Sequence, residues 1–335
     1  QCTLFEAVKA TAEKYPDMDA LIFMGRRISY RKMISEIEKC AKALKTLGVR
    51  EGDCVTIALP NCPQGIYMFY AVNLVGAVAN MIHPLSAEKE IEFYLNFSRS
   101  VTVVTLDQFY NKVASVLPDV QQECTVLVAK IADELPFPLN VLFPMTKAGK
   151  HPLPRTGYRL WKQVTASGSQ VQLPADDGKA DDCGAILHSG GTTGTSKGIM
   201  LSNRNFNALG LQTIAASGFG SVAGMKMLSI MPVFHGFGLG IGIHTALIGG
   251  ATCILIPQFT PKTYAEVLLK EKPNIIPGVP TLFEALLRSE DMDGKNLGFL
   301  QGIFCGGDSL SPELKKKVDT FLLEHDCAQQ IREGY

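Results

Sequence analysis

Between residues 190 and 198 the chain reads Gly190-Gly191-Thr192-Thr193-Gly194-Thr195-Ser196-Lys197-Gly198. Glycine lets a backbone turn sharply and approach a ligand closely. The amides and threonine hydroxyls of such a loop donate hydrogen bonds, and Lys197 adds a positive charge. A segment rich in donors, with a cation and no carboxylate, suits a polyphosphate. Read without its surroundings the string also fits a Gly/Thr-rich surface turn, which leaves the closing Lys-Gly without a purpose.

A Walker-type loop follows G-x-x-x-x-G-K-[ST] and opens a helix. Here Ser196 precedes Lys197, Gly198 follows it, and Ile199-Met200-Leu201 reads as a strand. Gly184-Ala185-Ile186-Leu187 reads as a second strand in front of the loop. The nucleotide expectation survives, and a P-loop NTPase becomes the alternative.

The elements that must position this loop alternate between strands and helices, which predicts an α/β fold with largely parallel, buried sheets. Ala20–Met24 and Arg27–Tyr30 predict a hairpin around Gly25, and Arg31–Leu47 a helix closed by Gly48. Cys54–Leu59, Ala77–Ile82, Val101–Leu106 and Val126–Ala129 predict strands, with helices over Gln64–Val75 and Glu88–Asn96. Beyond the loop, Asn203–Ala216 predicts a helix capped by Ser202. Strands are expected at Met227–Met231, Thr252–Ile256, Ile275–Pro277 and Gly302–Cys305. Helices are expected at Leu239–Ile248, Pro261–Lys270, Thr281–Arg288 and Pro312–Glu324. The pattern divides into a first α/β subdomain, residues 1–182, and a second, residues 183–335, which carries the loop.

Lys+Arg and Asp+Glu number 32 each, so no net field recruits nucleic acid. Nine scattered cysteines without C-x-x-C predict reduced thiols in a cytoplasmic protein. The histidines lack metal-ligand spacing. Two uncharged stretches, Cys54–Ser86 and Met227–Thr260, are long enough to span a membrane. Proline and glycine interrupt both, and short buried strands and helices account for them better.

Residues 131–182 break the rhythm with Pro136, Pro138, Pro144, Pro152, Pro154 and Pro174. Apolar residues there mix with Lys147, Lys150, Arg155, Arg159 and Lys162. The segment reads either as a packed loop with a solvated basic face or as a peripheral membrane contact.

The stretch Ile186–Lys197, ILHSGGTTGTSK, resembles the phosphate-binding signature of adenylate-forming enzymes, the superfamily of acyl-CoA synthetases, luciferases and peptide-synthetase adenylation domains. Further segments agree in order: Ile28-Ser29-Tyr30, Gly52-Asp53, Ile57-Ala58-Leu59-Pro60-Asn61, Met231-Pro232-Val233-Phe234-His235, Gly278-Val279-Pro280-Thr281 and Phe304-Cys305-Gly306-Gly307-Asp308-Ser309-Leu310. The resemblance covers essentially the whole chain. It departs at Ser196, where proline is common, and at Asp308, where alanine is common. The chain ends at Gly334-Tyr335, where the family continues into G-x-T-E. The resemblance therefore implies the larger part of an N-terminal adenylation domain. The Mg²⁺-serving glutamate, the ribose-binding aspartate, the hinge and the lid domain with its lysine are then lacking, and apolar surface is left that would favour a homo-oligomer.

What the resemblance implies is activation of a carboxylic acid by ATP to acyl-AMP, followed by thioester formation with coenzyme A. The loop Ser189, Gly190, Gly191, Thr192, Thr193, Gly194 and Lys197 would hold the phosphates, with Thr193, Lys197 and His235 as the catalytic set. Gly306, Gly307, Asp308, Gly334 and Tyr335 would receive the adenine end. His235, Gly240, Gly278, Val279 and Pro280 would border the acid. Each has a plainer reading. His235 can be a core histidine, Gly306-Gly307 a tight turn, and Asp308 a cap for the helix at Ser311–Pro312. The alternate glycines Gly236, Gly238, Gly240 and Gly242 either leave room for an apolar tail or let a helix pack closely. Few charged residues occur around Met231–Thr260 and Ile275–Leu287, which favours an apolar acid over an amino acid. A nucleotide- or acyl-binding module without turnover is the other expectation for this chain.

Overall fold

In a computed structural model, residues 2–173, 177–189 and 196–334 are described. The strands in chain order are β1 Asp19–Phe23, β2 Arg26–Ser29, β3 Cys54–Ala58, β4 Val78–Met81, β5 Thr102–Leu106, β6 Thr125–Ala129, β7 Arg159–Leu160, β8 Cys183–Ser189, β9 Lys197–Ser202, β10 Lys226–Ser229, β11 Thr252–Leu255, β12 Ile275–Gly278, β13 Gly302–Cys305 and β14 Ile331–Glu333. They form two sheets of seven, ordered β14-β13-β12-β10-β11-β1-β2 and β7-β6-β5-β3-β4-β8-β9.

The two sheets share one plan. Six strands run parallel, and an antiparallel hairpin partner closes one edge, β2 on β1 and β9 on β8. Parallel sheets survive when both faces are covered, so their strands read as near-continuous buried runs. β5 obeys this with all five residues buried. The expected pair of mostly parallel sheets flanked by helices is what the chain forms.

The sheets exchange segments. The early hairpin β1–β2 joins the sheet built otherwise from residues 226–333. The hairpin β8–β9 joins the sheet built otherwise from residues 54–160. A division of the chain at 182/183 therefore does not separate one sheet from the other.

The first uncharged stretch resolves into β3, the helix Pro63–Leu74 and β4. Proline opens that helix at a position where its missing N–H is harmless. All twelve of its residues are buried, as expected of a helix apolar all round. The second stretch differs from expectation. Phe237–Thr245 forms a π-helix, and only Ala246–Ile248 is α-helical. Thr245 Oγ1 donates to the Gly240 carbonyl at 2.8 Å, which stabilises the wider turn. Among the described residues no helix is long and apolar enough to cross a membrane.

Polar side chains tie distant elements together. The buried Tyr30 hydroxyl lies 3.0 Å from the Leu247 carbonyl and 2.7 Å from that of Ala251. Asn73 Oδ1 accepts from the Phe5 amide at 2.9 Å, and its Nδ2 donates to Asn203 Oδ1 at 2.7 Å. Ser202 caps the helix Asn203–Ser217 as expected, its Oγ accepting from the Asn205 amide. All nine cysteines are free thiols.

Candidate functional site

In open parallel sheets, ligands bind beyond the carboxyl ends of strands, where loops converge. Gly190, Gly191, Thr192, Thr193, Gly194 and Tyr335 lie outside the described residues. The frame that holds the loop is described. Ser189 ends β8, Lys197 begins β9, and the two face each other in antiparallel register. Ser196 Oγ donates to the Ser189 carbonyl at 3.1 Å. Lys197 is exposed and makes no ion pair among the described residues. A free ammonium at the mouth of a donor-rich loop is available to a phosphate.

Aromatic and imidazole rings support this frame. Tyr94 packs on His188 with ring centroids 4.1 Å apart, and its hydroxyl is 3.5 Å from Ser196 Oγ. His188 Nε2 donates to Asn80 Oδ1 at 2.6 Å, while Asn80 Nδ2 donates to Thr56 Oγ1 at 2.8 Å. Burial pushes the His188 pKa down to about 4. That keeps the ring neutral, as an Nε2 donor requires only one ring proton. His244 sits deeper, between the Tyr70 hydroxyl at 2.9 Å and Asn207 Oδ1 at 2.8 Å. Burial takes its pKa to about 3. Both histidines serve the framework.

The turn Met231–His235 is gripped by Asn61. Asn61 Nδ2 donates to the Ser229 and Met231 carbonyls, each at 2.9 Å, and Oδ1 accepts from the Val233 amide at 3.0 Å. Phe234 packs against His83 with ring centroids 4.3 Å apart and the rings tilted by 33°. His235 is exposed, so it is not a core histidine. Its Nδ1 accepts from the Phe237 amide at 3.3 Å, which leaves Nε2 free of any described partner.

This turn connects the phosphate-loop strand to the paired glycines. A Cβ placed on Gly236 would lie 3.4 Å from Leu187 of β8. On the other side, a Cβ on Gly306 would lie 3.5 Å from the Phe237 ring and 2.8 Å from the Gly334 carbonyl. Gly307 takes a φ of +76°, a conformation natural to glycine, and its Cβ position is 3.5 Å from Val279. The Gly306 amide donates to the Gly278 carbonyl at 3.0 Å, and the Gly334 amide to the Cys305 carbonyl at 2.8 Å. Gly306 and Gly307 thus lie against Phe237, a residue that no motif had singled out. Its signal in the sequence is only its place two residues after His235.

Two candidates take other roles. Asp308 Oδ1 accepts from the adjacent Ser309 amide at 2.8 Å, whereas the helix Pro312–Glu324 is capped by Ser311 Oγ. Asp308 is therefore not that helix's cap, and its exposed carboxylate remains at the edge of the glycine turn. Gly240 does not face open space, because a Cβ there would meet Leu209 at 2.7 Å. That glycine admits the helix Asn203–Ser217. Gly238 likewise fits against the Pro232 carbonyl, while a Cβ on Gly242 would have nothing within 4 Å. Pro280 opens the helix Pro280–Leu287 and fixes its direction from β12. Among the described residues no group of three or more His, Cys, Asp or Glu side chains forms a metal site.

Known proteins match the chain over nearly its whole length. The family model described as AMP-binding enzyme matches residues 8–335. A long-chain-fatty-acid–CoA ligase of Bacillus subtilis (strain 168) is 30% identical over 327 residues, which are 95% of this chain and 57% of that protein. The 4-coumarate–CoA ligase 1 of Solanum tuberosum is 25% identical over 299 residues, 88% of this chain and 50% of that protein. Among solved structures, the anthranilate CoA ligase AuaEII in complex with anthranoyl-AMP superposes with a TM-score of 0.85 at 20% identity, covering 99% of this chain and 60% of that one. ATP-bound MatB from Rhodopseudomonas palustris gives 0.78 at 20% identity, covering 99% and 59%. The chain thus spans little more than half the length of these relatives.

Proposed function

The chain belongs to the AMP-binding enzyme family, and from that premise we propose that its parent protein activates an apolar carboxylic acid with ATP and passes the acyl group to coenzyme A. One observation carries this reading. The turn bearing His235 lies between the strand that feeds the phosphate loop and the glycine turn at Gly306-Gly307. An ATP molecule laid across this ridge would have its phosphates at Lys197 and its base at Gly306-Gly307, with His235 between them.

The chemistry follows from charge. A carboxylate does not react with a thiol directly, because oxide is a very poor leaving group. Attack of the carboxylate on the α-phosphate expels pyrophosphate and gives acyl-AMP; the thiol then displaces AMP. Negative charge grows on the departing pyrophosphate, and preorganised donors with a cation stabilise it without reorganisation. Ser189 and Lys197 frame those donors, and Thr192 and Thr193 are assigned to them. His235, with Nδ1 occupied by the Phe237 amide, keeps Nε2 free, which supports a role beside the acid. Mg²⁺ would accompany the phosphates, but the described residues offer no cluster to hold it.

An apolar acid is favoured because Met231–Thr260 carries no Lys, Arg, Asp or Glu to match an ammonium group. Space beside Gly242, in the π-helix, supports a place for the tail. The test is isotope exchange with the full-length protein. Labelled pyrophosphate should enter ATP only when a fatty or aryl acid is present. Acid-independent ATP hydrolysis would instead mark an NTPase. The coverage of the relatives favours a second reading for these 335 residues by themselves: nucleotide or acyl-adenylate binding without turnover. Calorimetry with an acyl-AMP analogue should then show binding, and sustained thioester synthesis by this chain would refute it.

A further inference from the structure

The segment after β6 departs from the rest of the surface. From residue 135 to residue 175 the sequence holds Lys147, Lys150, Arg155, Arg159 and Lys162 and not one Asp or Glu. Within it, Phe137 through Leu142 are all exposed, spanning the short helix Leu139–Leu142. Phe137 is 83% and Met145 77% accessible, and Leu139, Val141 and Leu142 accompany them. A helix that docks on protein buries one face and wets the other. This turn leaves apolar side chains exposed along its whole length while Phe143 behind it packs toward the core, so it presents an apolar face to solvent.

The segment is nonetheless folded and anchored. Arg26 Nη1 donates to the Asp133 carbonyl at 3.2 Å and to Glu134 Oε2 at 2.9 Å, and Leu135 is buried. The Thr146 amide donates to the Phe143 carbonyl at 3.0 Å, and the Gly149 amide to Thr146 Oγ1 at 3.1 Å. A Cβ on Gly149 would overlap the Phe143 carbonyl, so the turn closes tightly behind the apolar residues. The cations follow directly. Lys162 reaches Asp133 at 2.9 Å. Lys147, Lys150, Arg155 and Arg159 are exposed and make no ion pair among the described residues.

Exposed aromatic and aliphatic side chains beside unmatched cations complement a surface that is apolar below and anionic above. A nucleic acid would use the cations and leave Phe137 and Met145 in water. A protein partner would need carboxylates and a cleft that accepts an apolar knob. We infer that Phe137–Met145, with the cations behind it, is a docking surface for an anionic lipid bilayer. Phe137, Leu139, Val141, Leu142 and Met145 enter the interfacial layer while Lys147, Lys150, Arg155 and Arg159 meet phosphate headgroups. This requires no nucleotide and is independent of the acid-activation reading.

The test is co-sedimentation of the 335-residue chain with phosphatidylglycerol/phosphatidylcholine vesicles and with pure phosphatidylcholine vesicles. Binding should be roughly tenfold or more stronger to the anionic vesicles, and added salt should weaken it. Phe137→Trp should show a blue-shifted emission with anionic vesicles only, over the constant background of buried Trp161. Charge reversal at Lys147, Lys150 and Arg155 should abolish the preference, and Phe137→Ser with Met145→Ser should lower binding about tenfold. No binding, or equal binding to both vesicles, overturns the inference, as does an unshifted emission from vesicle-bound Phe137→Trp chain. A dimer that becomes a monomer in Phe137→Ser/Met145→Ser, with vesicle binding unchanged, also overturns it and assigns the patch to a second copy.

Discussion

Asn61 holds the backbone of Val233: its Oδ1 accepts from the Val233 amide at 3.0 Å, while its Nδ2 spans the carbonyls of Ser229 and Met231. One buried amide, at the end of β3 in one sheet, thus sets the path of the turn after β10 in the other. His235 and Phe237 both depend on that path.

Replacing Asn61 by Ala leaves three backbone groups without their partner in a buried place. The expected loss is about 3 kcal/mol, read by chemical denaturation of the chain. Asn61→Asp keeps the acceptor for Val233 but sets a buried carboxylate oxygen against the Ser229 and Met231 carbonyls, so it should cost at least as much as Asn61→Ala. In the full-length protein the same variants should raise the KM for the acid in pyrophosphate exchange, because His235 shifts with its turn. Unchanged stability in Asn61→Ala would overturn the clamp.

Lys197→Met removes the free cation at the start of β9 without disturbing a described ion pair. Exchange activity should fall about 10²-fold, with the unfolding midpoint nearly constant. Calorimetry with ATP should show the loss as weaker binding. Wild-type exchange in this variant would remove Lys197 from the site.

Two glycines of the same π-helix should respond in opposite ways to a side chain. Gly240→Ala places a methyl against Leu209 and should destabilise by about 1–3 kcal/mol. Gly242→Ala enters open space and should change stability by less than about 1 kcal/mol. In the exchange assay Gly242→Leu should instead shift preference toward shorter acids. An unaltered chain-length profile would place the acyl tail elsewhere.

Glu134 gives the fold a pH dependence of definite sign. Desolvation raises its pKa from the ordinary 4.5 to about 7, although Arg26 stands 2.9 Å away and opposes the shift. A carboxyl with a raised folded pKa binds its proton more tightly when folded. Its contribution is fully present below about pH 4.5 and is lost as pH rises through about 7, by up to about 3 kcal/mol. Glu134→Gln should flatten the stability profile across that window. A profile identical to wild type would refute the assignment.

Much of the architecture is legible because buried parallel strands must be largely apolar, as β3, β5 and β6 are apart from Thr56, Thr102, Thr105 and Thr125. The helix cap at Ser202 and the turn at Gly307 are legible for equally local reasons. What could not be read is long-range. Nothing in Asp19–Phe23 announces that its parallel neighbour is Thr252–Leu255. The motif around Asn61 marked that residue, but its partners at Ser229, Met231 and Val233 lie in distant sequence. Phe237 escaped notice because an aromatic in an apolar run looks like core until the glycine turn is seen against it. The alternate glycines share one spacing, yet Leu209 fills the space at Gly240 and nothing fills it at Gly242. Periodicity cannot distinguish them, since the difference lies in another helix.

The exchange of hairpins between the sheets also sets an order of events during synthesis. β1 is made before every strand of the other sheet, but its parallel partner β11 emerges only after the whole of that sheet. Until then β1 has only β2 for company, and a lone hairpin is marginal in water. The sheet containing β3 to β9 can close first, while Ala20–Phe23 waits as an unsatisfied apolar strand. A ribosome paused between Ser202 and Thr252 would therefore hold one finished sheet and one sticky edge, which is where a chaperone would be most needed.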